Sequence, residues 1–96
     1  MIEPLLLNAG AGAQSDPLSL KTNNAIIYFD GPFGSEEVYL ERLNPFNGQW
    51  SEVTGSRFSA TTEKEIKLYK GGVIRAKTTN NGSAPSITVT IAHIYE

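Results

Sequence analysis

The strongest constraint on this chain is a two-residue period in its apolar side chains, repeated in segments that turn-forming residues separate. Val38, Leu40 and, by parity, Arg42 share one face of Glu36 to Leu43. Ile66 and Leu68 do so in Lys64 to Tyr69, and Ile87, Val89 and Ile91 in Ser86 to Tyr95. Successive side chains of an extended strand point to opposite faces, so each segment buries one face and wets the other. The one stretch that imitates a helix, Glu63 to Tyr69, runs into Gly71-Gly72 and lacks a second apolar turn. An all-β domain is expected.

Turn chemistry divides the rest. Ile2 to Asn8 reads as a first strand or an extended arm, and Pro4, which has no ladder donor, places it at a sheet edge or on a partner. Ala9 to Ser15, built from small residues, reads as a flexible linker. Leu18 and Leu20 alternate around Ser19, and Ala25 to Phe29 is the densest β-branched and aromatic run, as a central strand requires. Asp30-Gly31-Pro32-Phe33-Gly34 breaks that run. Asn44-Pro45-Phe46-Asn47-Gly48 is the strongest turn; Asn47-Gly48 suits a type I′ hairpin, with Trp50 to Val53 returning antiparallel. Lys70-Gly71-Gly72 reads as a second hairpin joining Lys64–Tyr69 to Val73–Thr78.

Eight strands spaced by about ten residues predict a single antiparallel β-sandwich, immunoglobulin-like or jelly-roll in type. Residues 1–16 are expected to form an N-terminal arm and Gly/Ala linker, and residues 17–96 the sandwich. Its core is expected from Ile27, Phe29, Val38, Leu40, Ile66, Leu68, Ile87, Val89 and Ile91. A 96-residue chain buries roughly 60–65% of its unfolded surface, enough for one thin core.

Composition narrows the function classes. The net charge of −2 lacks the basic footprint of a nucleic-acid binder. The charge is uneven: residues 1–60 carry seven acids and three bases, residues 61–96 three acids and five bases. That is either ordinary solvated strand faces or a polarised particle whose basic side meets a neighbour's acidic side. No apolar run approaches the ~18 residues of a membrane span. Met1-Ile2-Glu3-Pro4 has no basic n-region, so no signal peptide is expected. The absence of cysteine excludes disulfides and thiolate metal sites and fits a protein made in a reducing cytoplasm. Asn81-Gly82-Ser83 matches a glycosylation sequon but is read as a turn.

Candidate sites are few. Leu5-Leu6-Leu7 followed by Gly10-Ala11-Gly12-Ala13-Gln14-Ser15 imitates a dinucleotide fingerprint, but Asp16-Pro17 and an alternating Leu-Ser-Leu follow where the chemistry needs a helix N-terminus. His93, the sole histidine, has no nucleophile motif to serve and reads as a strand histidine with a hydrogen-bond partner. Asp30, Glu36, Glu37 and Glu41 could in principle supply a glycosidase carboxylate pair or calcium ligands, but nothing marks them as buried, so they read as a wet strand face. No catalytic, cofactor or metal site is expected. Phe46 and Trp50 flank Asn47-Gly48; with Asn47 they read either as a platform for a partner or glycan or, for Trp50, as core beneath the hairpin.

The order of these pieces resembles a family of small phage virion-associated proteins encoded among capsid and tail genes. The residues that carry the resemblance are Leu6-Leu7-Asn8-Ala9 with its Gly/Ala tract, the β run ending in Asp30-Gly31-Pro32-Phe33-Gly34, then Val38-Tyr39-Leu40 and Gly48-Gln49-Trp50. Phe58, Gly72-Val73-Ile74-Arg75 and Ser86-Ile87-Thr88-Val89-Thr90-Ile91 complete it. Glu36-Glu37 and Asn44-Pro45-Phe46-Asn47 do not map onto that pattern. The resemblance implies a non-enzymatic virion protein, a capsid decoration (cement) protein holding the major capsid protein, or else a carbohydrate-binding module of a tail or head appendage. It would sit on the capsid exterior or an appendage, as a homo-oligomer with a trimer expected. The assembly element would be Ile2, Leu5, Leu6 and Leu7, added as a strand to a neighbour. Neither nucleic acid nor membrane is expected as a partner.

Overall fold

Strands form where the alternating segments stand. The computed structural model describes residues 2–67 and 70–93, and the strands are β1 (Ile2–Ala9), β2 (Leu18–Ser19), β3 (Asn24–Asp30), β4 (Val38–Leu43), β5 (Trp50–Glu52), β6 (Thr62–Lys67), β7 (Val73–Thr78) and β8 (Ile87–His93). One sheet runs β1-β8-β3-β6 and the other β2-β7-β4-β5, with every neighbouring pair antiparallel. The chain is an all-β sandwich. Strands from both halves of the chain interleave in each sheet, the jelly-roll order of two folded Greek keys, and this decides between the two expected types.

The period-two pattern explains the core. Ile27, Phe29, Val38, Leu40, Ile66, Ile87, Val89 and Ile91 are all buried between the sheets; Leu68 lies outside the described residues. Leu6, Ala9, Leu20, Ala25, Phe33, Ile74 and Ala76 join them. The rings of Phe29 and Phe58 meet at 4.9 Å, tilted by 44°, within the range where aromatic pairs attract.

Five expectations change. First, residues 2–16 are not an arm and linker set apart from the sandwich. β1 is an edge strand paired along β8, from Ile2 opposite Ala92 to Ala9 opposite Ile87. Register shifts between Pro4 and Leu6 and between Leu6 and Ala9 let Leu6 enter the core while Leu5 packs against it. A bulge inserts one extra residue and so breaks strict alternation, which is how consecutive leucines can both face inward. Asn8, at φ 49°, sits in the second irregularity. With one side of β1 paired and the other interrupted by Pro4 and the bulges, addition to a neighbour's sheet by a free arm is not available.

Second, the Gly/Ala tract is stitched to β7 rather than flexible. Gly12 N donates to Thr79 O, Ser15 N to Ala76 O and Thr78 N to Ala13 O, each at 2.9 Å. Small side chains let this segment run close beside the sheet. Third, Lys70-Gly71-Gly72 is not a hairpin. β6 belongs to one sheet and β7 to the other, so the segment crosses between them, and Gly71 N and Gly72 O pair instead with Leu20 at 2.7 and 2.8 Å.

Fourth, the β4–β5 hairpin forms, but not on a type I′ turn. That turn needs positive φ at both central residues, and Gly48 at 71° has it whereas Asn47 does not. The connection is longer, closed by Asn44 N to Gln49 O at 2.8 Å and Gly48 N to Asn44 O at 2.9 Å. Fifth, Glu36 is not on a wet strand face; it lies before β4 and is fully buried.

Candidate functional site

The sandwich has two outer faces of opposite character. On the β2-β7-β4-β5 sheet, Tyr39 and Glu41 of β4 stand opposite Lys77 and Arg75 of β7, and Glu41 is also opposite Glu52 of β5. Arg75 Nε and Nη2 both lie 2.7 Å from Glu41 Oε1, and the guanidinium covers the Trp50 ring at 4.1 Å. Arg57 bonds Glu52 and Glu37 at 2.6 and 3.1 Å and covers Tyr39 at 4.3 Å. Hydrogen bonding to Arg57 holds the Glu52 carboxyl below its ordinary range. This face is laced with ion pairs and cation–π contacts.

The outer face of β1-β8-β3-β6 carries no charge across most of its width. Pairing registers align Ile2, Ala92, Ile26 and Glu65 in one row and Pro4, Thr90, Tyr28 and Glu63 in the next, with Thr88 opposite Asp30 at one end. Between β1 and β3 the first two rows contain only Ile2, Pro4, Thr90, Ala92, Ile26 and Tyr28. Ile2 is 70% exposed and Tyr28 41%. Charge stands at Asp30, at the end of β3, and along β6, where Glu63, Lys64, Glu65 and Lys67 guard the other edge against strand pairing. Leu7, 70% exposed, adds apolar surface at the bulge. Of the expected assembly residues, Ile2 and Leu7 are available to a partner, whereas Leu5 is half-buried and Leu6 belongs to the core.

At one end of the sandwich a cleft of about 490 Å³ opens between the β4–β5 turn and the β6–β7 crossover. Leu20, Leu43 and Ile74 give it an apolar lining, Pro45 and Phe46 one wall, and Arg42 and Lys70 its charge. Phe46 is 96% exposed. Asn44 Oδ1 accepts from Phe46 N and Asn47 Oδ1 from Gln49 N, both at 2.9 Å, shaping the turn that presents the ring. The expected Phe46–Trp50 platform is not assembled, because Trp50 is half-buried on the outer sheet face beneath Arg75 and does not line the cleft. Nor is Trp50 in the core.

The carboxylates weighed for catalysis go elsewhere. Asp30 Oδ1 accepts from Gly31 N and the Thr61 hydroxyl. Glu36 is gripped by the loop after β7: the Thr79 and Ser83 hydroxyls each donate at 2.7 Å, and the Asn81 and Ser83 backbone amides add three contacts of 2.8 to 3.1 Å. Burial pushes the Glu36 pKa up, but these donors outweigh it and hold the group down at about 2. His93, on β8, does have a partner: Nε2 lies 2.8 Å from Glu3 Oε2, while its buried Nδ1 has none among the described residues. Glu3 also takes the Lys21 ammonium at 2.9 Å; that hydrogen bond, then the one to His93, lowers the Glu3 pKa. Among the described residues no group of three His, Asp or Glu is placed to hold a metal ion.

Fold and surface together define an all-β jelly-roll module with, among the described residues, one sheet face whose charges stand only at its margins and one cationic end cleft. No family model and no curated protein matches the sequence. Among solved structures the chain is similar to the crystal structure of the Yersinia pseudotuberculosis-derived mitogen, at 16% identity and a TM-score of 0.50, covering all of this chain and 84% of that one. At that identity the likeness concerns the fold alone.

Proposed function

We propose that this protein is a phage virion structural protein that decorates the capsid, binding the major capsid protein through the uncharged outer face of β1-β8-β3-β6. The supporting observation is the contrast between the two sheets. One outer face has its charges paired in place, whereas the other presents Ile2, Pro4, Tyr28, Ile26, Thr90 and Ala92 with no charge among them, the acids Asp30, Glu63 and Glu65 standing at its margins. An uncharged patch that includes exposed Ile2 and Tyr28 loses little and gains apolar burial when a neighbour covers it. Many copies on a symmetric shell would add avidity to weak single contacts, and a closed homotrimer is the assembly proposed. The test is binding of purified protein to particles assembled without it. Wild-type protein saturates them, and Thr90→Lys or Tyr28→Lys loses binding while keeping its circular dichroism spectrum. Unchanged occupancy by both variants would remove this face from the reading.

A second reading, a carbohydrate-binding module of a tail or head appendage, is supported by the end cleft with its exposed Phe46 ring. It predicts glycan binding that Phe46→Ala abolishes and Thr90→Lys leaves intact.

A further inference from the structure

We propose that the end cleft binds a carboxylate-bearing sugar residue of an acidic glycan. This rests on the carbohydrate-binding reading and names its ligand class.

Arg42 lies near the end of β4 and lines the cleft. Val38 and Leu40, four and two positions before it on β4, are fully buried, and Arg42 continues their parity, opposite Ile74 of β7 and Ser51 of β5. An arginine on core parity needs either a partner or an opening, and here the sandwich opens. Of the three arginines, Arg57 and Arg75 are each bonded to carboxylates; Arg42 forms no ion pair among the described residues and lines the cleft instead. Lys70 lines it as well, and no acid is among the described lining residues. A planar guanidinium is the side chain best matched to a carboxylate, which it can bond through two parallel N–H donors, with Lys70 adding a point charge.

The remaining lining selects a ring rather than a peptide. A concave space of about 490 Å³ lies in the range of small-molecule sites. Phe46 and Pro45 offer an apolar wall for the C–H face of a pyranose, and Gly71 and Gly72 leave room for close approach. Asn44 uses its Oδ1 on Phe46 N, so among the described residues its Nδ2 and the Ser51 hydroxyl remain to bond sugar hydroxyls. An acidic peptide would instead seek free main-chain groups. Four of those bordering the cleft are already occupied: Gly71 N and Gly72 O by Leu20, and Asn44 N and O by Gln49 and Gly48.

The experiment titrates the full-length protein with glucuronic acid, a galacturonate trimer, N-acetylneuraminic acid, glucose and an acidic peptide, following amide shifts by NMR at low and high salt. An acidic sugar should shift the amides of Arg42, Phe46, Ser51 and Gly71. Glucose should bind at least about tenfold more weakly, the scale of a charge-assisted hydrogen bond. Arg42→Gln and Lys70→Gln should each weaken acidic-sugar binding several-fold without altering the spectrum elsewhere, and high salt should weaken it too. Glucose binding as tightly as glucuronate would overturn the acid-specific inference and leave the carbohydrate reading standing. An acidic peptide binding more tightly than every sugar would overturn both, as would no binding at all.

Discussion

The backbone amide of Asn81 lies within hydrogen-bond distance of both carboxylate oxygens of Glu36, 2.8 Å from Oε1 and 2.9 Å from Oε2, across 45 residues of sequence. That contact ties the loop following β7 to the segment preceding β4, and the Thr79 and Ser83 hydroxyls complete the grip. A buried carboxylate that accepts so many donors is favoured in its ionised form, because protonation turns one oxygen into a donor facing amide N–H groups that can only donate.

The sign of the pH dependence follows. Glu36 titrates near 4.5 when unfolded and at about 2 when folded. Its contribution is therefore complete above pH 4.5 and lost progressively as the pH falls toward 2. Glu36→Gln keeps the shape but turns an amide NH2 toward backbone donors. Urea unfolding should show the variant well below wild type at pH 7, with the gap narrowing steadily between pH 4.5 and pH 2.5. A gap that does not vary with pH would mean the ionised carboxylate contributes nothing.

The same loop makes Gly34 irreplaceable in a way that Gly48 is not. Both have positive φ, 60° and 71°, so alanine at either strains the backbone. A Cβ on Gly34 would also stand 2.8 Å from Ser83 Oγ, which donates to Glu36, whereas a Cβ on Gly48 meets open space. Gly48→Ala should cost about 1 kcal/mol, and Gly34→Ala should cost clearly more, measured as shifts in the denaturation midpoint. Equal losses would show that Ser83 moves aside freely.

Phe29 is fully buried and meets Phe58 across the core. Phe29→Ala should destabilise by about 3–5 kcal/mol, a large share of the stability of a domain this small. Chemical denaturation monitored through Trp50 fluorescence would measure it, and a loss under 1 kcal/mol would mean the core refills the space.

Much of this fold is readable from residue order because alternation is a local property. Ile87, Val89 and Ile91 face inward wherever β8 lies in the sheet, and the turns around Asp30 and Asn44 punctuate as their chemistry requires. What escaped depends on partners distant in sequence. The burial of Glu36 needs the loop at residues 79–83, and the Gly/Ala tract is ordered by β7, with Ser15 Oγ accepting from Ala76 N across 61 residues. Gly71-Gly72 has the same local chemistry in a hairpin as in a sheet-to-sheet crossing, so only the final pairing separates them. Two signals were present and outweighed. Trp50 pairs with Leu43, which shares the outward parity of Tyr39, so its hydropathy misled where its register would not. The other was Arg42, a charged side chain in line with buried Val38 and Leu40, where the sandwich opens.

In β1 three leucines stand in a row and meet three different fates. Leu6 is core, Leu5 packs against the core and Leu7 is 70% exposed beside the uncharged face. Deleting residues 1–8 should therefore not yield a folded sandwich stripped of an arm, because it would uncover the edge of β8 and the inward side chains of Val89 and Ile91. Point variants separate the roles cleanly. Leu6→Ala should destabilise by about 2–5 kcal/mol and leave particle binding unchanged wherever the protein remains folded. Ile2→Ser and Leu7→Ser should leave the denaturation midpoint within about 0.5 kcal/mol of wild type, as surface changes do. If the proposed decoration face extends to β1, the pair should nevertheless weaken binding to particles. A double variant with unaltered stability and unaltered occupancy would confine that face to β8 and β3.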